Sequence, residues 1–534
     1  MKFKYSAVVG AVLAVGSAST FAVTAAVSCP TYKAGMTNQE NLDYVNKCTP
    51  ESVLFIGGAS TMKGNIFAGT SVVMNDIFDT SKMAPIPVKD SGSVSGKAGN
   101  VLAFYGIGKA SGKRVFVVYN YNNGSAAGVS QLLGKPAADS VTDDKTKMVE
   151  SDVVYVGLDP KAKTANTCTP ASTVSADLAA TTNTTVTCTT HAPLQADIAL
   201  SDVAPRELYK LYTSATGKLS TLKATPVFLQ SFGVVVSPKL YDALAVKNVA
   251  DGLLPASCVT GGANSTSPDC QPSISSADYA SLVTKAGSIK SLAALTGNST
   301  LTDKLVLARR DDLSGTQASS NIFFANLRCG GDTGVKANVK DVPTFTSKVD
   351  LAIEAAGGNV SGLPIISSTD TYSDLTILAA SVSGDVKNAV ADPAKYAIGV
   401  LNVGSGATVA NSDTTVSAKG RFVKLDGVSP NYPVGAGAST SADSRKNLAA
   451  GLYPFAMTTY AVTTTAAVDA KAKDTVKKAM LDTLVIGLQS STKQAALSGI
   501  AYFDGSTTDA GKAVQSAVVR PNGNNCSPLI KPAS

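Results

Sequence analysis

Short apolar runs alternate with mixed stretches along this chain. The runs are rich in β-branched residues and predict strands buried on both faces. They fall at 53–57, 101–106, 114–121, 153–158, 197–200, 227–236, 305–309, 396–403 and 453–462. Helix-like stretches lie between them. The clearest spans 468–488, where Val476, Met480, Leu484 and Leu488 recur at every fourth position and the lysines fall elsewhere. Another starts at Ser490-Ser491 as its cap and stops near Gly499. Strands alternating with helices predict an α/β architecture with largely parallel sheets.

Two segments break the pattern. Residues 160–192 are nearly all Thr, Ser, Ala and Asn around Cys168 and Cys188, and residues 256–274 repeat that style around Cys258 and Cys270. Such stretches bury little apolar surface, so they read as surface loops pinned by a disulfide. No repeat of fixed period is present.

The start of the chain reads as a leader. Lys2 and Lys4 precede an apolar stretch at 7–15, and Val23-Thr24-Ala25 fits a small-x-Ala cleavage site. This predicts a bacterial Sec-type signal peptide at 1–25 and a periplasmic or extracellular protein. A lipoprotein signal at Cys29 lacks the usual Leu three residues earlier. No later segment has 18 consecutive apolar residues, which predicts a soluble mature chain.

Composition narrows the chemistry. The 534 residues carry 46 Lys and Arg against 39 Asp and Glu, a formal +7. Loss of Lys2 and Lys4 with the leader leaves +5. No block of like charge appears, so nucleic acid is not an expected partner. The single histidine, His191, sits at the edge of the Thr-rich insert and excludes most histidine metal sites and proton relays. No metal and no cofactor are expected. All eight cysteines (Cys29, Cys48, Cys168, Cys188, Cys258, Cys270, Cys329 and Cys526) follow the cleavage site, and none forms a CxxC. An exported chain with an even count reads as disulfide-bonded. Spacing favours 29–48, 168–188 and 258–270, leaving 329–526, although eight cysteines allow 105 pairings.

Four strand ends lead into small polar residues. They are Gly57-Gly58-Ala59-Ser60-Thr61, Gly124-Ser125-Ala126-Ala127-Gly128, Ser201-Asp202, and Arg310-Asp311-Asp312-Leu313-Ser314-Gly315-Thr316. A helix N-terminus after a strand exposes N–H groups and the positive end of a dipole, so it holds anions. Glycine admits close approach, hydroxyls donate, and a guanidinium matches a tetrahedral oxyanion. Each segment alone has a plainer reading. Ser60, Ser125 or Ser314 serves as an ordinary N-cap, Asp202 as a turn residue, and Arg310 as part of a solvated charge cluster.

In order and combination, the four segments resemble the periplasmic phosphate-binding proteins of ABC transporters (PstS-like) and the related secreted DING-type phosphate binders. That family carries Gly-Ala-Thr/Ser, Gly-Ser-x-x-Gly, Ser-Asp and Arg-x-x-x-Ser-Gly-Thr in the same sequence. Residues 227–238 resemble its entry into a second lobe, Tyr396-Ala397-Ile398-Gly399-Val400 its late Ile-Gly-Tyr strand, and Tyr453-Pro454-Phe455 its return. The resemblance covers about 52–505 and implies a two-lobed type II periplasmic binding protein fold, mixed sheets flanked by helices, with disulfide-pinned insertions. The implied lobes are 26–232 (with an insertion at about 135–192) and 452–534 for the first, and 233–451 for the second. The implied ligand is phosphate or a similar oxyanion, held by Ser60, Thr61, Ser125, Arg310, Ser314, Gly315 and Thr316. Asp202 would accept a proton from the ligand and so exclude sulfate. An ABC permease is the implied partner and a monomer the implied state. Met62-Lys63 stand where the family has Phe-Pro after its first motif, and the gap from Ser125 to Asp202 exceeds the family's.

Two other readings stand beside this one. A secreted phosphatase-like enzyme would need a metal or a nucleophile–base pair, for which a single histidine leaves little. An extracellular matrix or adhesion protein reusing the fold would explain the Ser/Thr-rich inserts and the length.

Overall fold

The computed structural model describes residues 29–67, 73–90, 93–94, 97–98, 101–121, 124–133, 168–170, 175–178, 181–188, 196–208, 222–259, 267–326, 365–380, 383–404, 420–431, 443–464, 474–490, 500–502, 514–516, 518–520, 525–526 and 528–531. The leader at 1–25, the strand expected at 153–158, the helix expected after Ser491, His191 and Cys329 lie outside them.

Ten strands organise the described residues: β1 (Ser52–Gly58), β2 (Ile86–Asp90), β3 (Val101–Ile107), β4 (Arg114–Asn120), β5 (Ile198–Ser201), β6 (Leu222–Val236), β7 (Leu305–Arg310), β8 (Leu375–Ala380), β9 (Tyr396–Asn402) and β10 (Ala456–Thr464). They hydrogen-bond in the order β8-β7-β9-β6-β10-β5-β1-β4-β3-β2. Parallel pairs are β1/β4, β1/β5, β7/β8 and β7/β9. Antiparallel pairs are β2/β3, β3/β4, β5/β10, β6/β9 and β6/β10. The sheet is therefore mixed and not largely parallel. An apolar run reports burial on both faces and says nothing of strand direction, which explains the difference.

Alternation along β1 shows the double burial directly. Leu54 and Ile56 join one core with Val117 and Tyr119, while Val53 and Phe55 join another with Phe116 and Val118. The helices of eight or more residues among the described residues are α1 (Asn38–Lys47), α2 (Gly124–Leu133), α3 (Pro238–Ala250), α4 (Ser276–Val283), α5 (Gly315–Ala325), α6 (Ser383–Ala391) and α7 (Thr475–Gln489). Helix α7 covers the first core with Met480, Leu484 and Leu488, and α1 covers the second with Leu42 and Val45. Caps set several starts. Ser237 precedes Pro238 in α3, Ser314 opens α5, and Thr37 with Glu40 forms a capping box on α1. One α7 lysine departs from the expected exposed stripe: Lys477 turns inward to Asp197.

The fifteen-residue β6 spans both halves of the sheet. Its Leu222–Ser231 stretch pairs with β10, broken by an irregularity at Pro226/Phe228, and Phe232 to Val236 pair with β9. At the switch, Phe232 N–H donates to Phe455 O at 3.0 Å, and Tyr453 Oη donates to Phe232 O at 2.7 Å. Tyr453-Pro454-Phe455 thus precedes β10 and lies outside it, as a proline next to a ladder requires.

The Thr-rich insert contains β-structure where a plain loop was expected. Cys168–Pro170 and Ser175–Leu178 pair with Thr181–Cys188, which runs parallel to β2. Threonine is β-branched and favours strands even where it brings little apolar surface. Cys168 stands opposite Cys188 in that ladder. Disulfides join Cys29 to Cys48 and Cys258 to Cys270, and Cys526 is also disulfide-bonded. Among the described residues no cysteine is free, no helix is long and apolar enough to cross a membrane, and no His/Cys/Asp/Glu group is placed to hold a metal.

Candidate functional site

The four polar segments end at one place, centred on Asp202. This residue follows β5 and is 2 % exposed. Thr61 Oγ1, in a 3₁₀ turn after β1, donates to Asp202 Oδ1. The Asp202 N–H donates to Ser125 Oγ at 3.0 Å. Ser125 stands in the first turn of α2 and is fully buried.

Glycines make this convergence possible. Gly58 adopts φ +133°, and a Cβ there would lie 2.0 Å from Leu200 O. A Cβ on Gly128 would meet Gly58 Cα at 2.3 Å, so the second glycine of the Gly-Ser-x-x-Gly segment lets α2 lie directly on β1. Gly315 is the glycine packed directly on the Asp202 carboxylate. A Cβ there would lie 2.1 Å from Ser125 Oγ and 2.5 Å from Asp202 Oδ2.

The N-termini of α2 and α5 meet across this point. Ala126 N–H donates to Leu313 O at 3.0 Å, and a Cβ on Gly124 would lie 3.2 Å from Ser314 Cα. Ser314 caps α5 by accepting from Gln317 N–H at 3.3 Å. Ser314 and Thr316 are both buried. Two positive dipole ends and an arginine thus surround one carboxylate.

Arg310 ends β7 and is 5 % exposed. Its Nη1 donates to Ser383 Oγ at 2.7 Å, at the start of α6. Burial lowers its pKa, opposed by Asp311, Asp202 and Asp385. Its neighbour Arg309 is a structural clasp. It donates to Ile366 O at 2.6 Å and Arg310 O at 2.8 Å, and pairs with Asp312 at 2.6 Å.

Burial raises the Asp202 carboxyl from 3.8 to about 6, against the opposing pull of Thr61, Arg310 and Ser125. Buried Tyr119 lies close enough for that carboxylate to help raise its phenol, after burial itself. Tyr119 Oη donates to Ala59 O and fixes the first loop from behind.

Seven of the eight expected residues stand at this point or line its approach; Ser60 is solvent-exposed on the outer turn. The sequence reading missed Ser383, which holds Arg310, and a pair of lysines. Lys63 follows the first loop, and Lys387 lies one turn beyond Ser383. Burial lowers the Lys387 pKa first, and repulsion from Lys63 adds to it. Nothing local in the sequence marks these residues, because each becomes relevant only through the fold.

No protein-family model matches the chain, and no curated protein matches it. It is similar in structure to an ABC-type phosphate transport receptor from Vibrio cholerae, at 13 % identity over 56 % of this chain and 75 % of that one, TM-score 0.27. It is also similar to PstS from Borrelia burgdorferi, at 12 % identity over 83 % of this chain and 94 % of that one, TM-score 0.29.

Proposed function

We propose that this chain is an exported solute-binding protein that captures phosphate or a similar protonated oxyanion. The observation that carries the reading is the meeting of Thr61, Ser125 and Gly315 on the buried carboxylate of Asp202, with Arg310 and two helix N-termini beside it. Hydroxyls, N–H groups and a guanidinium supply donors for oxyanion oxygens. Asp202 supplies the one acceptor. A hydrogen phosphate gives it a proton, whereas sulfate at neutral pH meets it as an unpaired repulsion.

The lobes in this reading are 26–232 with 452–534, and 233–451. β6 and the segment before β10 would serve as the connections, since both cross from one half of the sheet to the other near Phe232 and Phe455. Closure about them would bring Arg310, Ser314, Gly315 and Thr316 onto the loops carrying Thr61, Ser125 and Asp202. Delivery to an ABC permease follows as the role of such a protein, with no chemical step on the ligand.

Calorimetric titration of the purified protein with phosphate and with sulfate tests the reading. Phosphate is expected to bind and sulfate to fail at pH 7.5. Absence of phosphate binding, or binding unaltered in both Asp202→Asn and Arg310→Ala, refutes it.

A further inference from the structure

A second cavity, of about 390 Å³, opens beside the loop closed by Cys258 and Cys270. It lies between α3 and the parallel pair Ser273–Ile274 with Lys424–Leu425. The oxyanion reading makes no use of it.

Its wall carries polar groups of opposite need. Gln271 is fully buried. Its Nε2 donates to Phe422 O at 2.9 Å and Asn431 Oδ1 at 3.0 Å, while its Oε1 accepts no hydrogen bond among the described residues. Buried carbonyl oxygens are rarely left so, and this one lies behind the wall of the cavity, out of reach of a ligand. Lys424 is half-buried, and its ammonium makes no hydrogen bond or ion pair among the described residues. Burial lowers its pKa, with Asp269 opposing. Asp278, in the first turn of α4, adds a carboxylate without a bonded partner among the described residues. Beside these groups Leu254 is buried and Leu253 is 65 % exposed, an apolar wall half open to water.

We propose that this cavity binds a small zwitterion with an apolar chain, of free amino-acid to dipeptide size. Its carboxylate would sit on Lys424, its ammonium on Asp278, and its chain against Leu253 and Leu254. The volume lies in the range of small-ligand sites, where a few placed polar groups orient a mostly apolar ligand. The assignment is independent of the Asp202 site.

Calorimetry on the full chain with L-leucine and L-leucyl-L-leucine, each alongside its N-acetyl and carboxamide forms, tests it. At least one zwitterion is expected to bind at millimolar concentration or below, and each capped form to bind at least about 10-fold more weakly, as loss of a charge-assisted contact requires. Lys424→Met is expected to lose the same factor. Leu253→Glu, at an exposed position, is expected to weaken binding without lowering the melting temperature. Phosphate titration should match wild type in both variants, which separates failure here from failure at Asp202. The proposal is overturned if neither zwitterion gives heat, if the carboxamides bind as well as their parents, or if Lys424→Met with an unchanged melt binds like wild type.

Discussion

Gly315 has no room for a side chain because Asp202 fills that space: a Cβ would lie 2.5 Å from the Asp202 Oδ2. Ser125 Oγ is nearer still, at 2.1 Å. The glycine that opens α5 and the carboxylate that follows β5 therefore hold one another in place.

Gly315→Ala is expected to cost about 1–3 kcal/mol, the usual price of overpacking, because both neighbours are buried and held, Ser125 Oγ by the Asp202 N–H and the Asp202 carboxylate by Thr61. It should also abolish anion binding by driving α5 away from Ser125. Gly112→Ala has open space around its Cβ and strain only from φ +66°. It should destabilise modestly and leave binding intact. Thermal melts and phosphate titrations of both variants check the contrast.

The raised carboxyl of Asp202 sets a pH dependence with a definite sign. Its pKa is about 6 in the folded protein against 3.8 as an isolated group. Between these values the native state holds a proton that the unfolded chain releases, so stability falls as pH rises through the window. Below pH 3.8 the penalty is absent. Above about pH 6 it reaches about 3 kcal/mol, at 1.36 kcal/mol per decade of acidity. Asp202→Asn should match wild type in ligand-free stability near pH 4 and exceed it by up to that amount at pH 7.5, read by urea unfolding. Sulfate should begin to bind wild type below about pH 6, when the protonated carboxyl can donate.

Adjacent arginines should separate cleanly. Arg309→Met strands Ile366 O and the Asp312 carboxylate, and should lower stability by about 3 kcal/mol or more. Arg310→Met removes a buried charge held by Ser383 and nearby carboxylates. It should leave the melt near wild type and weaken phosphate by at least about 100-fold, since a charged contact contributes 1.5–3 kcal/mol before the loss of long-range attraction is added. Parallel melts and titrations of the two variants decide the assignment.

These arginines also mark where sequence reading stops. Strands such as Ser52–Gly58 and Arg114–Asn120 are legible because their central residues are an unbroken apolar run buried on both faces. The Leu222–Thr225 extension of β6 is not, because its Lys223 and Thr225 look like loop and gain their partners only from β10. Strand direction was likewise hidden. At the site, the glycines and hydroxyls are local motifs and can be read in order. Ser383, Lys63 and Lys387 are not, since their relevance depends on α6 arriving beside Arg310. Alternation separates Arg309 from Arg310 onto opposite faces, but only the fold shows which face holds Ile366 and which holds Asp202.

A buried ion pair fastens α7 to the start of β5, the end away from the site. Lys477 Nζ lies 3.2 Å from Asp197 Oδ2, with side chains 13 % and 10 % exposed. The same oxygen accepts from Phe55 N–H at 2.9 Å. The helix cap adds a second tie, because Asp474 accepts from Ser52 Oγ at 3.0 Å and from Lys477 N–H at 2.9 Å. Lys477→Met takes the neutralising cation away from the buried Asp197 carboxylate, and should cost about 3–5 kcal/mol. Asp197→Asn alone should cost less, since the amide oxygen can still accept from Phe55. The double variant should be more stable than the sum of the two losses predicts, by about 1–3 kcal/mol, because it removes both charges together. Because the pair is shielded from solvent, its coupling should persist at 1 M salt, where the exposed Lys478–Asp482 pair contributes nothing measurable. A double-mutant cycle by chemical denaturation at low and high salt measures all three quantities, and phosphate affinity should stay at the wild-type value throughout.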